Sequence, residues 1–253
     1  MSIRTETADG VLTLTFDRLD RKNAITAAMY QTLADALVAA ETDPAIRVIV
    51  LAGHESIFTA GNDLEDFMKN PPKDESAPVH QFLKAICTAT KPLIAAVSGA
   101  AVGVGTTMLL HCDFVVLAEN AQLSTPFVNL ALVPEAASSL LMPARLGHVR
   151  AFEMFALGDA VDAQAALTWG LANRVVPLDQ LAAQAQAVAE RLARQPLGAV
   201  SATKRLMRNA ELLTTQMDAE SACFAERLRT AEAHEAFRAF VDRRPPNFSA
   251  VAS

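Results

Sequence analysis

Apolar and polar positions alternate from Val11 to Phe16, with Leu12, Leu14 and Phe16 on one side and Thr13 and Thr15 on the other. A period of two predicts a half-buried strand. Thr26 can cap a helix whose apolar positions, Met29, Leu33, Leu37 and Ala40, recur at helical spacing until Pro44. Residues 48–52 are continuously apolar, as expected of a strand covered on both faces. The turn Thr59-Ala60-Gly61-Asn62-Asp63 follows, and Asp63 can open a short helix through Phe67. Residues 71–78 are proline-rich and charged, which marks a surface linker or lid. Residues 79–89 read as a helix ended by Lys91-Pro92. An apolar strand over 93–97, a glycine-rich turn, an apolar helix through His111 and a strand over 113–118 come next. Alternating strands and helices predict an α/β fold with right-handed crossovers. Beyond Pro177 the pattern becomes helical over 178–192, 197–210 and 214–241, so the chain divides into a core, 1–195, and a helical region, 196–253. No repeat of fixed period is present.

Length and composition narrow the class. The 253 residues are enough for one large core, and 51% hydrophobic against 20% charged residues excludes a disordered chain. A net charge of −6 without a basic patch argues against a nucleic-acid partner, while leaving room for an anion held by local backbone dipoles. Cys87, Cys112 and Cys223 are far apart, lack metal-ligand spacing, and are expected to be reduced in a cytoplasmic protein. The first ten residues are polar and hold no apolar signal core. Residues 92–110 are long enough to span a membrane, but Ser98, Gly99, Gly103, Gly105, Thr106 and Thr107 make them better suited to a buried strand, turn and helix. None of His54, His80, His111, His148 and His234 stands at a metal-binding spacing, so no metal is expected.

Three segments carry chemistry. Gly99-Ala100-Ala101-Val102-Gly103-Val104-Gly105 sits between an apolar strand and an apolar helix. Such a turn offers free amides and a positive helix end to a carbonyl that must become an oxyanion. It fails as a phosphate loop, lacking Gly-Lys-Ser/Thr, and as a dinucleotide fingerprint, because Met108 replaces the third glycine. Spacing alone leaves open whether it binds a ligand or packs helix on strand. Phe58 to Leu64 is a second such turn, and two turns after parallel strands share the sheet edge where ligands bind. Pro134-Glu135 lies in an apolar, small-residue stretch. There a carboxylate can serve as a desolvated general base, or the pair can start a helix, proline in its first turn and glutamate favoured by the dipole.

Together these segments resemble the crotonase (enoyl-CoA hydratase/isomerase) family. Arg21-Lys22-Asn23-Ala24-Ile25 is similar to its Arg-Pro-x-x-x-Asn-Ala-Leu segment, and Phe58 to Leu64 to its Phe-x-Ala-Gly-x-Asp-Leu motif. Lys91 to Gly99 resembles its Lys-Pro-x-Ile-Ala-x-Val-x-Gly strand, and Cys112-Asp113 with Ala118 its Cys-Asp-x-x-x-Ala strand. Thr168 to Val176 resembles its Ala-x-x-x-Gly-Leu-Val strand, and Phe240 to Phe248 its tail. The resemblance implies a spiral of ββα units with a helical C-terminal region, assembled as a homotrimer or a dimer of trimers. It implies an acyl-CoA thioester substrate, with coenzyme A as part of that substrate and no other cofactor. The oxyanion hole falls on the amides of Asn62 and Val104. The CoA surface falls on Lys22, Ala24, Ala60, Gly61, Asp63 and Leu64.

Hydratases of this family use two glutamates, because water and a proton both add to the double bond. Their positions fall here on Thr107 and Phe127. Glu135 instead matches the single glutamate of Δ3,Δ2-enoyl-CoA isomerases of the peroxisomal type, whose surroundings Ala60 to Leu64, Thr125-Pro126-Phe127 and Ser138-Ser139 also resemble. The implied reaction moves a double bond from 3-enoyl-CoA to 2-trans-enoyl-CoA, with Glu135 as acid and base and Phe127 keeping water out. Hydration, dienoyl isomerisation and thioester hydrolysis are the alternatives within the family. Hydration would need another acid, such as Asp63 or Glu119. Outside it stands a non-catalytic acyl-CoA-binding protein.

Overall fold

The structure, a computed structural model, describes residues 2–72 and 74–251. Its strands are β1 (Ile3–Ala8), β2 (Val11–Phe16), β3 (Val48–Ala52), β4 (Ile57–Thr59), β5 (Leu93–Val97), β6 (Ala100–Val102), β7 (Phe114–Ala118), β8 (Gln122–Ser124), β9 (Val161–Asp162) and β10 (Arg174–Val176). The helices are α1 (Ala27–Thr42), α2 (Leu64–Lys69), α3 (Pro78–Thr88), α4 (Val104–Thr107), α5 (Ser138–Leu146), α6 (His148–Leu157), α7 (Ala163–Trp169), α8 (Leu181–Ala193), α9 (Leu197–Met207), α10 (Ala210–Leu228) and α11 (Ala231–Val241).

Two sheets stand beside one another. One has the order β1-β2-β3-β5-β7-β10, parallel from β2 onward, and the other the order β4-β6-β8-β9. The chain makes a strand in the first sheet, then a short one in the second, then a helix back, at β3–β4, β5–β6 and β7–β8. That is a spiral of ββα units.

The apolar runs explain why the first sheet is internal. Leu12, Leu14, Ile49, Leu51, Leu93, Ala95, Val115 and Leu117 face the main core with α1 and α3. The residues between them, Val11, Val48, Val50, Ile94, Ala96 and Val116, face α8 through Leu181, Ala185, Val188 and Ala189. Strand β2 is therefore covered on both faces and not half-buried as its alternation predicts, and even Thr15 is 8% exposed. The polar start of the chain hides an edge strand: β1 exposes all but Ile3 and joins β2 through Asp9 and Gly10, both at positive φ, a hairpin turn.

Two expected helices are broken. The one expected to run through His111 is α4 followed by a 3-10 turn, Met108–His111. The stretch 214–241 is two helices, because Thr230 caps α11 by accepting from the Ala233 N–H at 3.2 Å. The segment 71–78 includes Lys73, which lies outside the described residues.

The Lys91-Pro92 motif has a structural purpose. Lys91 is buried and its ammonium donates to the carbonyls of Ala40, Asp43 and Ile46 around the end of α1. Lys204, from α9, donates to the Lys91 carbonyl at 2.8 Å and to Asp113 Oδ2 at 2.7 Å. These bonds tie the helical region to the core. Among the described residues no helix is long and apolar enough to cross a membrane, and residues 92–110 are β5, β6, α4 and the 3-10 turn.

Candidate active site

Strands β4 and β6 pair in parallel, Ile57 with Ala100 and Thr59 with Ala101, so the turns that follow them emerge at one edge. The turns touch. Gly61 has φ +84°, and a Cβ there would lie 2.7 Å from the Val102 carbonyl oxygen. Gly103, at φ +57°, reverses the chain into α4. Gly105 bears out the packing reading as well, since a Cβ would meet Thr59 Cγ2 at 2.6 Å.

This arrangement leaves two amides free. Ile25 bridges Asn62 in parallel fashion, donating to the Gly61 carbonyl at 2.8 Å and accepting from the Asp63 N–H at 2.9 Å. The N–H of Asn62 itself is thereby turned away from Ile25. Val104 is the first residue of α4, where the amide has no partner within the helix. Among the described residues, neither N–H donates a hydrogen bond.

Both residues line a cavity of about 560 Å³. Lys22, Ala24, Ala60, Gly61, Asp63 and Leu64 line it too, so the expected CoA surface and the expected hole lie in one place. The opposite side is apolar, with Phe127, Leu130 and Leu132 from the core and Phe224, Phe237 and Phe240 from α10 and α11. Arg21 and Arg244, which the sequence reading passed over, also contribute to the wall.

Asp63 is a structural carboxylate as well as a wall residue. It receives the Arg18 guanidinium at 2.6 Å and caps α2 by accepting from the Asp66 N–H at 3.1 Å. Burial alone would raise its pKa, but these donors hold it below the ordinary value. Asp63→Ala should lower stability by about 1–2 kcal/mol through the lost cap and ion pair. Thermal melting at neutral pH checks this, and an unchanged Tm would contradict it.

Glu135 does not lie on the cavity wall. Nor does it start a helix. Ala136 and Ala137 both take the left-handed conformation, at φ 64° and 53°, and α5 begins only at Ser138. Pro134 and Glu135 thus stand in a strained turn, since each such non-glycine residue costs about 1–2 kcal/mol. His111 helps hold the turn. Its Nε2–H donates to the Ala136 carbonyl at 2.7 Å, and Arg208 donates to its Nδ1. Burial, then the Arg208 charge, pushes His111 down to about 3, so the imidazole is neutral.

The Glu135 Oε1 is buried and has no hydrogen-bond partner among the described residues. Burial, then the Glu220 carboxyl, raises its pKa to about 7. Tyr30 stands between it and Asn62: the phenol donates to Asn62 Oδ1, and its pKa is raised well above the ordinary value by burial and by the charge of Glu135. A buried carboxylate half-ionised near neutrality can both take and return a proton.

No second acid takes the places that hydratase chemistry would fill. Thr107 is buried, with its hydroxyl near the Val104 carbonyl at 3.5 Å, and Phe127 packs on Phe155 with ring centroids 6.3 Å apart. Glu119 is exposed beyond β7. Among the described residues no group of three acidic, histidine or cysteine side chains could hold a metal. Sequence reasoning missed Tyr30 and Glu220. Tyr30 is the only tyrosine. Glu220 had a visible signal: it falls on the apolar stripe Leu213, Met217, Phe224 of α10.

The spiral α/β fold agrees with what is found by comparison. The family model "Enoyl-CoA hydratase/isomerase" matches residues 6–250. The crystal structure of an enoyl-CoA hydratase/isomerase from Pseudoalteromonas atlantica T6c superimposes with a TM-score of 0.94 at 41% identity, covering 98% of this chain and 100% of that one. The chain is 34% identical to the 1,2-epoxyphenylacetyl-CoA isomerase of Escherichia coli K12, over 95% of each. It is 33% identical to the 2,3-dehydroadipyl-CoA hydratase of the same organism, over 94% of each. It is 32% identical to the enoyl-CoA delta isomerase 2 of Rattus norvegicus, over 93% of this chain and 62% of that one. The protein belongs to the enoyl-CoA hydratase/isomerase, or crotonase, family.

Proposed function

We propose that the protein moves the double bond of a 3-enoyl-CoA to give the 2-trans-enoyl-CoA. The observation that carries this reading is a buried carboxyl, Glu135, whose Oε1 has no partner among the described residues and whose pKa is raised to about 7, with Thr107 and Phe127 where a hydratase needs its acids. The thioester carbonyl accepts from the N–H groups of Asn62 and Val104. The CoA lies along Lys22, Ala24 and Ala60 to Leu64. The acyl chain extends past Asn62 toward Tyr30 and Glu135.

Glu135 removes a proton from C2. The C–H electrons form the C2–C1 double bond, and the carbonyl pair moves onto oxygen, giving a dienolate. The hole stabilises that oxygen, and each donor of this kind is worth about 3–4 kcal/mol. The protonated Glu135 then delivers the same proton to C4, the double bond forms between C2 and C3, and the carbonyl is restored. No atom is gained or lost, so neither a second acid nor a cofactor is required. Phe127 and the aromatic side chains of α10 and α11 exclude the water that would otherwise add.

Residues 196–253 serve in this reading as cover and as assembly surface. Phe224, Phe237 and Phe240 support the first role. Exposed Leu206 and Met207 at the end of α9 support the second, in a homotrimer or dimer of trimers. A cytoplasmic location suits the unpaired Cys87, Cys112 and Cys223.

The test is the rate of conversion of 3-hexenoyl-CoA to 2-hexenoyl-CoA, with water addition to 2-hexenoyl-CoA assayed in parallel. Isomerisation without hydration supports the one-base reaction. Dominant hydration, the activity in the name of the dehydroadipyl-CoA relative, overturns it. Acyl-CoA binding without turnover of either substrate would favour the non-catalytic reading.

A further inference from the structure

Helix α10 buries a carboxyl that the one-base reaction does not use. Glu220 is 6% exposed, among Leu213, Met217 and Phe224. Its Oε1 accepts from the Ser139 N–H at 2.8 Å and from the Ser139 hydroxyl, to which Gln216 donates at 2.9 Å. Ser139 lies in the first turn of α5, whose own N-cap position is Ala137 and supplies no side-chain cap. Glu220 provides from α10 the acceptor that α5 lacks locally. The Glu135 carbonyl meanwhile accepts from the Ser138 N–H at 3.1 Å. One tight turn, residues 135–139, thus has a carboxyl at each end. Both Glu135 Oε1 and Glu220 Oε2 are buried with no hydrogen-bond partner among the described residues.

We propose that Glu220 is a positioning residue for Glu135: it caps α5 across the fold and holds, by hydrogen bond and by charge, the turn that presents Glu135 to the substrate. The inference rests on the reading of Glu135 as the base. Burial raises Glu220 too, but the Ser139 donors oppose that rise. Glu135 has no such donors, and Glu220 adds to its rise after burial. The negative charge of an ionised Glu220 makes Glu135 more basic.

The other groups around the pair do not confuse the titration. Tyr30 on α1 and Cys87 on α3 are raised, chiefly by burial, and stay neutral near pH 7. His111, beside Ala136, is held at about 3. Arg208, ahead of α10, remains cationic, and Asp218 is exposed on α10.

The experiment compares wild type, Glu220→Gln, Glu220→Ala and Glu135→Gln by two readouts. One is the pH profile of kcat/KM with 3-hexenoyl-CoA. The other is a carboxyl-carbon NMR titration of labelled glutamate, with the Glu135 signal assigned by its loss in Glu135→Gln. Glutamine can still accept from Ser139 but carries no charge. In Glu220→Gln the Glu135 titration and the acid limb of kcat/KM should move down together by about one pH unit, with kcat kept within about tenfold. Alanine loses the cap as well and should lower kcat by about a further tenfold, with KM little changed.

An unmoved Glu135 titration in Glu220→Gln overturns the proposal, and it does so whatever the activity. A moved titration with an unmoved pH profile upholds the coupling and overturns Glu135 as the base. A kcat as low as that of Glu135→Gln would show Glu220 acting on the substrate itself, and would also overturn the positioning role. Should the alanine variant not fold, the glutamine variant decides the matter alone.

Discussion

Glu135→Gln should lower kcat for double-bond migration by about 10²–10⁴-fold, the contribution of a positioned acid–base group. KM should change little, because the wall residues and both amides are untouched. Full activity in this variant would remove Glu135 from the mechanism. The wild-type kcat/KM should rise with pH through about 7, since the base must be ionised to accept the C2 proton. The same variant should affect stability in the opposite sense. An ordinary glutamate titrates at 4.5, and this one at about 7 in the fold. A raised carboxyl contributes stability that is complete below the unfolded value and is lost as pH rises through the folded one. The loss amounts to up to about 3 kcal/mol by about pH 8. Glutamine does not titrate, so between about pH 5 and pH 8 the variant should gain several degrees of Tm on the wild type, about 5 °C. Parallel melting curves would contradict a raised Glu135.

Gly61→Ala should lower kcat/KM by about 10²-fold or more. The residue has φ +84°, and the added Cβ would stand 2.7 Å from the Val102 carbonyl oxygen. Backbone must then move, and the atoms nearest belong to the turns that carry the Asn62 and Val104 amides. A hole works only when both donors point at the same developing oxyanion, so spreading the turns weakens both at once. The left-handed conformation adds a loss of about 1–2 kcal/mol of stability. Steady-state kinetics beside a melting curve separate the two effects. Wild-type kcat/KM in this variant would mean that the two turns do not form the hole.

The division between what could be read from the residues and what could not follows from locality. Helix α1, capped by Thr26, and the buried strands β3 and β5 were legible because period, cap and apolar run are properties of a few neighbouring residues. The wall from Lys22 to Leu64 came only with the family resemblance of two short segments, 21–25 and 58–64, because neither period nor cap marks a binding residue. Strand β1 was hidden because an edge strand has no need of apolar alternation. The covering of Thr15 depends on α8, which is far away in the chain. The left-handed pair Ala136-Ala137 escaped detection because alanine favours helix and gives no sign of a turn. The groups bonded around it, His111 to the Ala136 carbonyl and Glu220 to Ser139, are remote from Pro134-Glu135 in sequence or belong to the next element. Glu220 on an apolar stripe was the one such clue available.

The cavity joins side chains between Lys22 and Leu64 to Phe224, Phe237 and Phe240. On a ribosome the first group emerges well before the second. The glycine turns can form as soon as β4 and β6 pair, yet the amides they expose remain open to water until α10 and α11 have emerged and docked. The aromatic cover can dock only once α10 and α11 have emerged, and the bonds from Lys204 to Lys91 and Asp113 already anchor the helix just ahead of them to the core.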